Sequence, residues 1–113
     1  MKKMISMNDL HQHLKSLSSD ELILDVRTAE EYAEGHIPQS KNIPHEEVEK
    51  HASELKKFKA VYIHCRSGKR AQFAAEVLQK AGLTNIVCIG SSGMMDWVAA
   101  GYSIETGKGT HSS

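Results

Sequence analysis

The chain is predicted to be a single three-layer α/β domain with a mostly parallel sheet, on three observations. Short apolar runs at 22–26, 60–64 and 85–89 alternate with segments of helical apolar spacing. The run Ala60-Val61-Tyr62-Ile63 is continuous, as expected for a strand covered by helices on both faces. The length, 113 residues, suits one domain, and 40% apolar with 25% charged residues is a globular balance.

Each element has its own signal. The first helix is expected from Ser6, with Met7, Leu10, Leu14 and Leu17 along one face. The run 22–26 reads as a buried strand, and Thr28-Ala29-Glu30-Glu31 as a capping box opening a second helix that Gly35 ends. Asn42-Ile43-Pro44 reads as a brief edge strand, followed by a helix with Val48, Ala52 and Leu55 inward. After the strand 60–64, Ala71, Ala74, Ala75, Leu78 and Ala81 mark one stripe of a helix that begins near Ala71 and stops at Gly82. A strand over 85–89 and a short helix over 93–100, around Trp97, complete the domain, with Met94 and Met95 as core filling. Residues 106–113 read as a disordered polar tail, which leaves 1–105 as the folded domain.

Composition narrows the function. Fourteen basic and fourteen acidic residues leave no net charge, which argues against nucleic acid or an anionic membrane as partner. No apolar run approaches the roughly 20 residues that span a bilayer, and the amino terminus lacks a secretory pattern, so the expected location is cytoplasmic. Cys65 and Cys88 are too few for a disulfide framework, and there is no C-x-x-C. The seven histidines are scattered, with His11 and His13 on different faces of one helix, so no metal site is expected.

One segment carries chemistry. Cys65-Arg66-Ser67-Gly68-Lys69-Arg70 follows a strand directly and leads into a helix, where ligands bind in parallel α/β folds. Helix amino termini and nearby cations favour the reactive thiolate of cysteine. Three cations lie within five residues of Cys65 with no acid among them, and Gly68 allows successive N–H groups to curl inward as an anion nest. Cys88 lies mid-strand between Val87 and Ile89 and reads as a small core residue.

This loop resembles the active-site loop of single-domain rhodaneses, and the resemblance spans roughly residues 4 to 104. Asp25-Val26-Arg27, Glu31-Tyr32, Gly35-His36-Ile37-Pro38 and Asn42-Ile43-Pro44 match the family's first half in order, and Gly93, Trp97 and Gly101-Tyr102 match its end. Ser92-Gly93 stands for a glycine pair, Gln39-Ser40 for a small pair, Ala71 for Ser and Ser103 for Pro. The resemblance implies a five-stranded sheet flanked by helices on both faces. It also implies a sulfurtransferase without cofactor, moving sulfane sulfur from thiosulfate or a persulfide donor to a thiophilic acceptor, such as cyanide, a low-molecular thiol or a protein thiol, through a Cys65 persulfide.

Under that resemblance Cys65 is the nucleophile. Backbone N–H groups of residues 66 to 70 stabilise the sulfur anion, and Arg66, Ser67, Gly68, Lys69 and Arg70 form the substrate site, with Arg70 also bracing the loop. Arg27 and Glu31 are expected to pair across a helix start, Asp25 to support the scaffold, His36 to pack, and His64 to point away from the nucleophile. Two other functions fit part of the pattern. His64-Cys65 is similar to the start of the phosphatase signature His-Cys-x5-Arg, which also serves arsenate reduction on this fold, but only four residues separate Cys65 from Arg70. A catalytically silent partner-binding module is expected to lack the nucleophile that this chain keeps.

Overall fold

A computed structural model describes residues 3–107. Five parallel strands form one sheet in the order β1-β5-β4-β2-β3: β1 Lys3–Met4, β2 Glu21–Asp25, β3 Lys41–Asn42, β4 Ala60–His64 and β5 Ile86–Cys88. Every pairing is parallel, and β2 and β4, at the centre, align over their full length from Glu21↔Ala60 to Asp25↔His64. The fifth strand, β1, had no counterpart in the sequence pattern. Two residues are too few to carry a period, and the Ile5 N–H extends the ladder to the Cys88 carbonyl at 3.1 Å.

Because side chains alternate across a strand, successive residues of β2 and β4 feed two cores. On one face Leu22, Leu24, Val61 and Ile63 pack against Ala71, Ala74, Ala75 and Leu78 of α4 (Lys69–Lys80), together with Val48 and Leu55. The small alanines let α4 sit close to the sheet. On the other face Ile23, Tyr62 and Val87 pack against Met7 and Leu10 of α1 (Met7–His13) and Met94 and Trp97 of α5 (Met94–Ala99). Fully burying one Leu or Ile side chain contributes roughly 1.5–3 kcal/mol, so these two layers supply most of the hydrophobic drive.

The first two helices start where the sequence placed them. Ser6 caps α1 and Thr28 caps α2 (Ala29–Glu34), each with a reciprocal capping box, and Gly35 ends α2. Several expectations need correction. Helix α1 ends at His13, so Leu14 falls in a 3-10 turn and Leu17 in extended chain beyond it. The segment after Pro44 is a 3-10 stretch, His45–His51, leading into a single α-turn, α3 (Ala52–Leu55), though Val48 and Leu55 are buried as expected. Helix α4 starts at Lys69, two residues before the apolar stripe, because Gly68 takes a left-handed φ of 116° and acts as its cap. Met95 is 54% exposed, since only Met94 and Trp97, three residues apart, share the inner face of the short α5. Of the polar tail, residues 108–113 lie outside the described residues. No helix of the described residues is long and apolar enough to cross a membrane.

Candidate active site

The site is assembled at the carboxyl end of β4. The strand ends at His64, so Cys65 is the first residue free to leave the ladder, and its side chain falls on the α4 face with Ile63. Gly68 lies against the next loop so closely that a Cβ there would stand 2.1 Å from the Gly90 carbonyl oxygen. Only glycine meets both that approach and the left-handed backbone. The resulting turn brings two amides onto one atom: the Gly68 N–H donates to the Cys65 sulfur at 3.0 Å, and the Ala71 N–H at 3.3 Å. Ala71 is the third residue of α4, and its N–H is one of the first-turn donors that a helix cannot satisfy internally.

The loop is held from behind. The Met94 and Met95 N–H groups donate to the Cys65 and Arg66 carbonyls at 2.9 and 3.3 Å. With those carbonyls drawn towards α5, the amides of the turn face the sulfur. Gly93 permits the approach, since a Cβ on it would lie 2.4 Å from the Cys65 carbonyl oxygen. Gln72 Nε2 donates to the Gly90 carbonyl at 2.8 Å, fixing the β5–α5 connection to α4. Cys65 ends up 1% exposed, while Arg66, Ser67 and Lys69 of the same loop are exposed.

The cations divide by partner. Arg70 forms a two-pronged pair with Glu31, at 2.7 Å from Nη1 to Oε1 and 3.0 Å from Nη2 to Oε2. Together with the Thr28 amide, that guanidinium holds the Glu31 carboxyl down at about 2. Arg66 and Lys69, by contrast, have no pairing partner among the described residues. The expected Arg27–Glu31 pair does not form. Arg27 precedes α2, so no helical spacing relates it to Glu31, and it turns back to chelate Asp25 through Nε and Nη2 at 2.9 and 2.7 Å. Asp25 is fully buried and requires that charge partner. Arg27 Nη2 also donates to the Gly35 carbonyl at 2.7 Å, which ties β2 to the end of α2.

Two buried histidines belong to the fold around the site. His64 is fully buried on the opposite face, 4.0 Å from the Asp25 carboxylate, and burial pushes its pKa down, which keeps it neutral. His36 stacks on Tyr32 with centroids 3.7 Å apart, and its Nδ1 lies 2.7 Å from the Tyr32 carbonyl oxygen. No group of three or more His, Cys, Asp or Glu side chains is placed to hold a metal among the described residues.

Sequence reasoning placed Cys65 and its loop but missed three participants: the Ala71 N–H, Glu31 as the partner of Arg70, and Gly93 behind the loop. The first was recoverable, because a left-handed Gly68 starts the helix early and leaves the amide of residue 71 pointing back. The other two depend on contacts between distant segments.

The family model described as rhodanese-like domain matches residues 6–100. A putative sulfur carrier protein of Bacillus subtilis, YrkF, is 44% identical over 85 residues, which are 74% of this chain and 45% of that protein. A sulfurtransferase of Allochromatium vinosum is 31% identical over 105 residues, covering 93% of this chain and 96% of that one. The fold is that of thiosulfate sulfurtransferase from Pseudomonas aeruginosa, with a TM-score of 0.82 at 24% identity over 96% of this chain. The chain spans less than half of the Bacillus protein and 21% of the Pseudomonas one, but nearly all of the Allochromatium protein. With the motif order, the sheet topology and the loop cradle in agreement, the chain belongs to the rhodanese-like domain family.

Proposed function

We propose that the protein is a sulfurtransferase that carries sulfane sulfur as a persulfide on Cys65. The observation that carries the reading is the pair of N–H groups, from Gly68 and Ala71, converging on one buried sulfur at the start of a twelve-residue helix. Donors aimed at a single atom stabilise negative charge there in both the thiolate and the persulfide.

The reaction has two steps. The Cys65 thiolate attacks the outer sulfur of thiosulfate, a sulfur–sulfur bond forms, the bond to the sulfite sulfur breaks, and sulfite leaves with the electron pair. A thiophilic acceptor then attacks the outer sulfur of the Cys65 persulfide and returns the pair to Cys65 as thiolate. With cyanide the product is thiocyanate. A persulfide donor charges Cys65 in the same way and leaves as a thiolate. Arg66 and Lys69, exposed and unpaired among the described residues, draw the anionic donor to the mouth, Ser67 completes the rim, and Arg70 acts through Glu31 to hold the loop. Two free cysteines fit a reducing compartment such as the cytoplasm.

The test is to incubate the protein with thiosulfate, remove the excess and locate added sulfur by peptide mass spectrometry. One sulfur atom is expected on the Cys65 peptide, released as thiocyanate by cyanide, and none in Cys65→Ser. Sulfur on the Cys88 peptide, activity surviving in Cys65→Ser, or aryl phosphate hydrolysis outpacing sulfur transfer would overturn the assignment.

A further inference from the structure

Beside the loop lies a groove of about 540 Å³, far larger than cyanide or thiosulfate requires and within the range of sites for extended ligands. One wall is α5 and the other is α2. At the loop end stand Arg66 and Glu31, and Met95 joins them there through its N–H bond to the Arg66 carbonyl. One helical turn further on, Val98 lies on the α5 wall and Glu34 on the α2 wall. Met95 and Val98 are 54% and 55% exposed, although the fold needs neither, because Met94 and Trp97 already serve the core. Glu31 is neutralised by Arg70, whereas Glu34 is exposed and has no partner among the described residues.

We infer that this groove receives the sulfur acceptor, and that the acceptor is a cysteine-bearing peptide segment with an apolar residue and then a basic residue after the cysteine. The inference rests on the sulfurtransferase reading and names its acceptor. The order of chemistry along the groove sets the order in the peptide. The acceptor sulfur enters beside Arg66, the apolar side chain covers Met95 and Val98, and the cation meets Glu34. One helical turn is about 5.4 Å and an extended chain advances about 3.3 Å per residue, so two residues past the cysteine reach that far. The transfer balances without a further reactant: the peptide sulfur bonds to the outer sulfur of the Cys65 persulfide, the old sulfur–sulfur bond breaks, and Cys65 regains its thiolate. The peptide leaves as the persulfide.

The experiment charges the full chain with thiosulfate and follows transfer to two capped synthetic peptides, Gly-Cys-Leu-Lys-Gly and Gly-Cys-Gly-Glu-Gly, and to cyanide. The Leu-Lys peptide should react about tenfold faster than the Gly-Glu peptide, as expected from one buried apolar side chain and one ion pair. In the triple variant Glu34→Lys, Met95→Ser, Val98→Ser that preference should vanish, while charging and the cyanide rate stay within about twofold, because all three side chains are exposed. Equal rates for the two peptides, or a preference that survives in the variant, would overturn the acceptor assignment and leave the sulfurtransferase reading standing. Failure of the unaltered protein to form thiocyanate would overturn that reading, and the acceptor with it.

Discussion

The two cysteines of this chain are nearly the same by burial and opposite by surroundings. Cys65 is 1% exposed and Cys88 is 0%, both belong to the apolar layer beneath α4, and Cys88 lies opposite Ile63 on the neighbouring strand. What separates them is the backbone. Cys88 is the last residue of β5, and its carbonyl still accepts the Ile5 N–H as part of the ladder. Cys65 follows the last residue of β4, so the turn after it is free to aim the Gly68 and Ala71 amides at the sulfur. Burial therefore does not mark a cysteine for chemistry; backbone amides aimed at the sulfur by the turn that follows it do.

The strongest way to break this contrast is to open the turn. Gly68→Ala places a Cβ 2.1 Å from the Gly90 carbonyl oxygen at a φ of 116°. Overpacking and left-handed strain together should cost about 3 kcal/mol or more, and sulfur loading should be lost. Gly101→Ala is the control, because its φ is 78° and a Cβ there would meet nothing within 4 Å beyond its chain neighbours among the described residues, and it should cost about 1 kcal/mol with loading intact. Urea unfolding of both variants reads the difference. Equal costs would show that the approach to Gly90 does not shape the cradle.

Serine at each cysteine inverts the two roles. Cys88→Ser puts a hydroxyl into an apolar layer and should cost about 1–3 kcal/mol while thiocyanate formation persists. Cys65→Ser keeps an acceptor for the Gly68 amide, so it should cost about 1 kcal/mol or less and abolish thiocyanate formation. A stability loss concentrated at Cys65 instead would mean that its amides serve the fold before the chemistry.

The Glu31–Arg70 pair sharpens the comparison by asking how far the cradle depends on its outer brace. An acid whose pKa is lowered by folding adds stability above its unfolded value and loses it as pH falls towards the folded one. For Glu31 those limits are 4.5 and about 2. Glu31→Gln should therefore be about 1–2 kcal/mol less stable near neutrality, with the gap from the parent protein closing as pH drops through that window. Comparing parent and variant cancels the similar loss from Glu21, which is also held at about 2, first of all by the Ser18 amide. A gap that does not change with pH would reduce Glu31 to a packing residue.

Most of the fold was legible because its signals are local. The helix start at Ser6, the capping box at Thr28, the continuous run of β4 and the alanine stripe of α4 each depend on residues a few positions apart. The cradle was half legible. Cys65, Gly68 and the three cations are contiguous, but which cation is spent on the fold is decided 39 residues away, where Glu31 faces Arg70. The same applies to Met95, whose exposure follows from how much of a six-residue helix the sheet can cover. The pair assigned from spacing alone, Arg27 with Glu31, failed because a buried carboxylate two residues from Arg27 was the more demanding partner.

The smallest effect on stability should come from the two cations that the fold leaves unused. Arg66 and Lys69 are exposed and unpaired among the described residues, so the double variant Arg66→Ala, Lys69→Ala should unfold within about 0.5 kcal/mol of the parent. Its kinetics should differ where charge meets charge. Two positive side chains at the mouth raise the local concentration of a doubly anionic donor, so removing them should raise the thiosulfate KM several-fold. Screening gives an internal check: added salt should raise the KM of the parent protein but change that of the variant much less, since the Debye length falls from about 10 Å at 0.1 M to about 3 Å at 1 M. The maximal rate with saturating thiosulfate should hold, because the Gly68 and Ala71 amides, not the side chains, face the sulfur. A drop in maximal rate with KM unchanged would place Arg66 or Lys69 inside the cradle rather than at its rim.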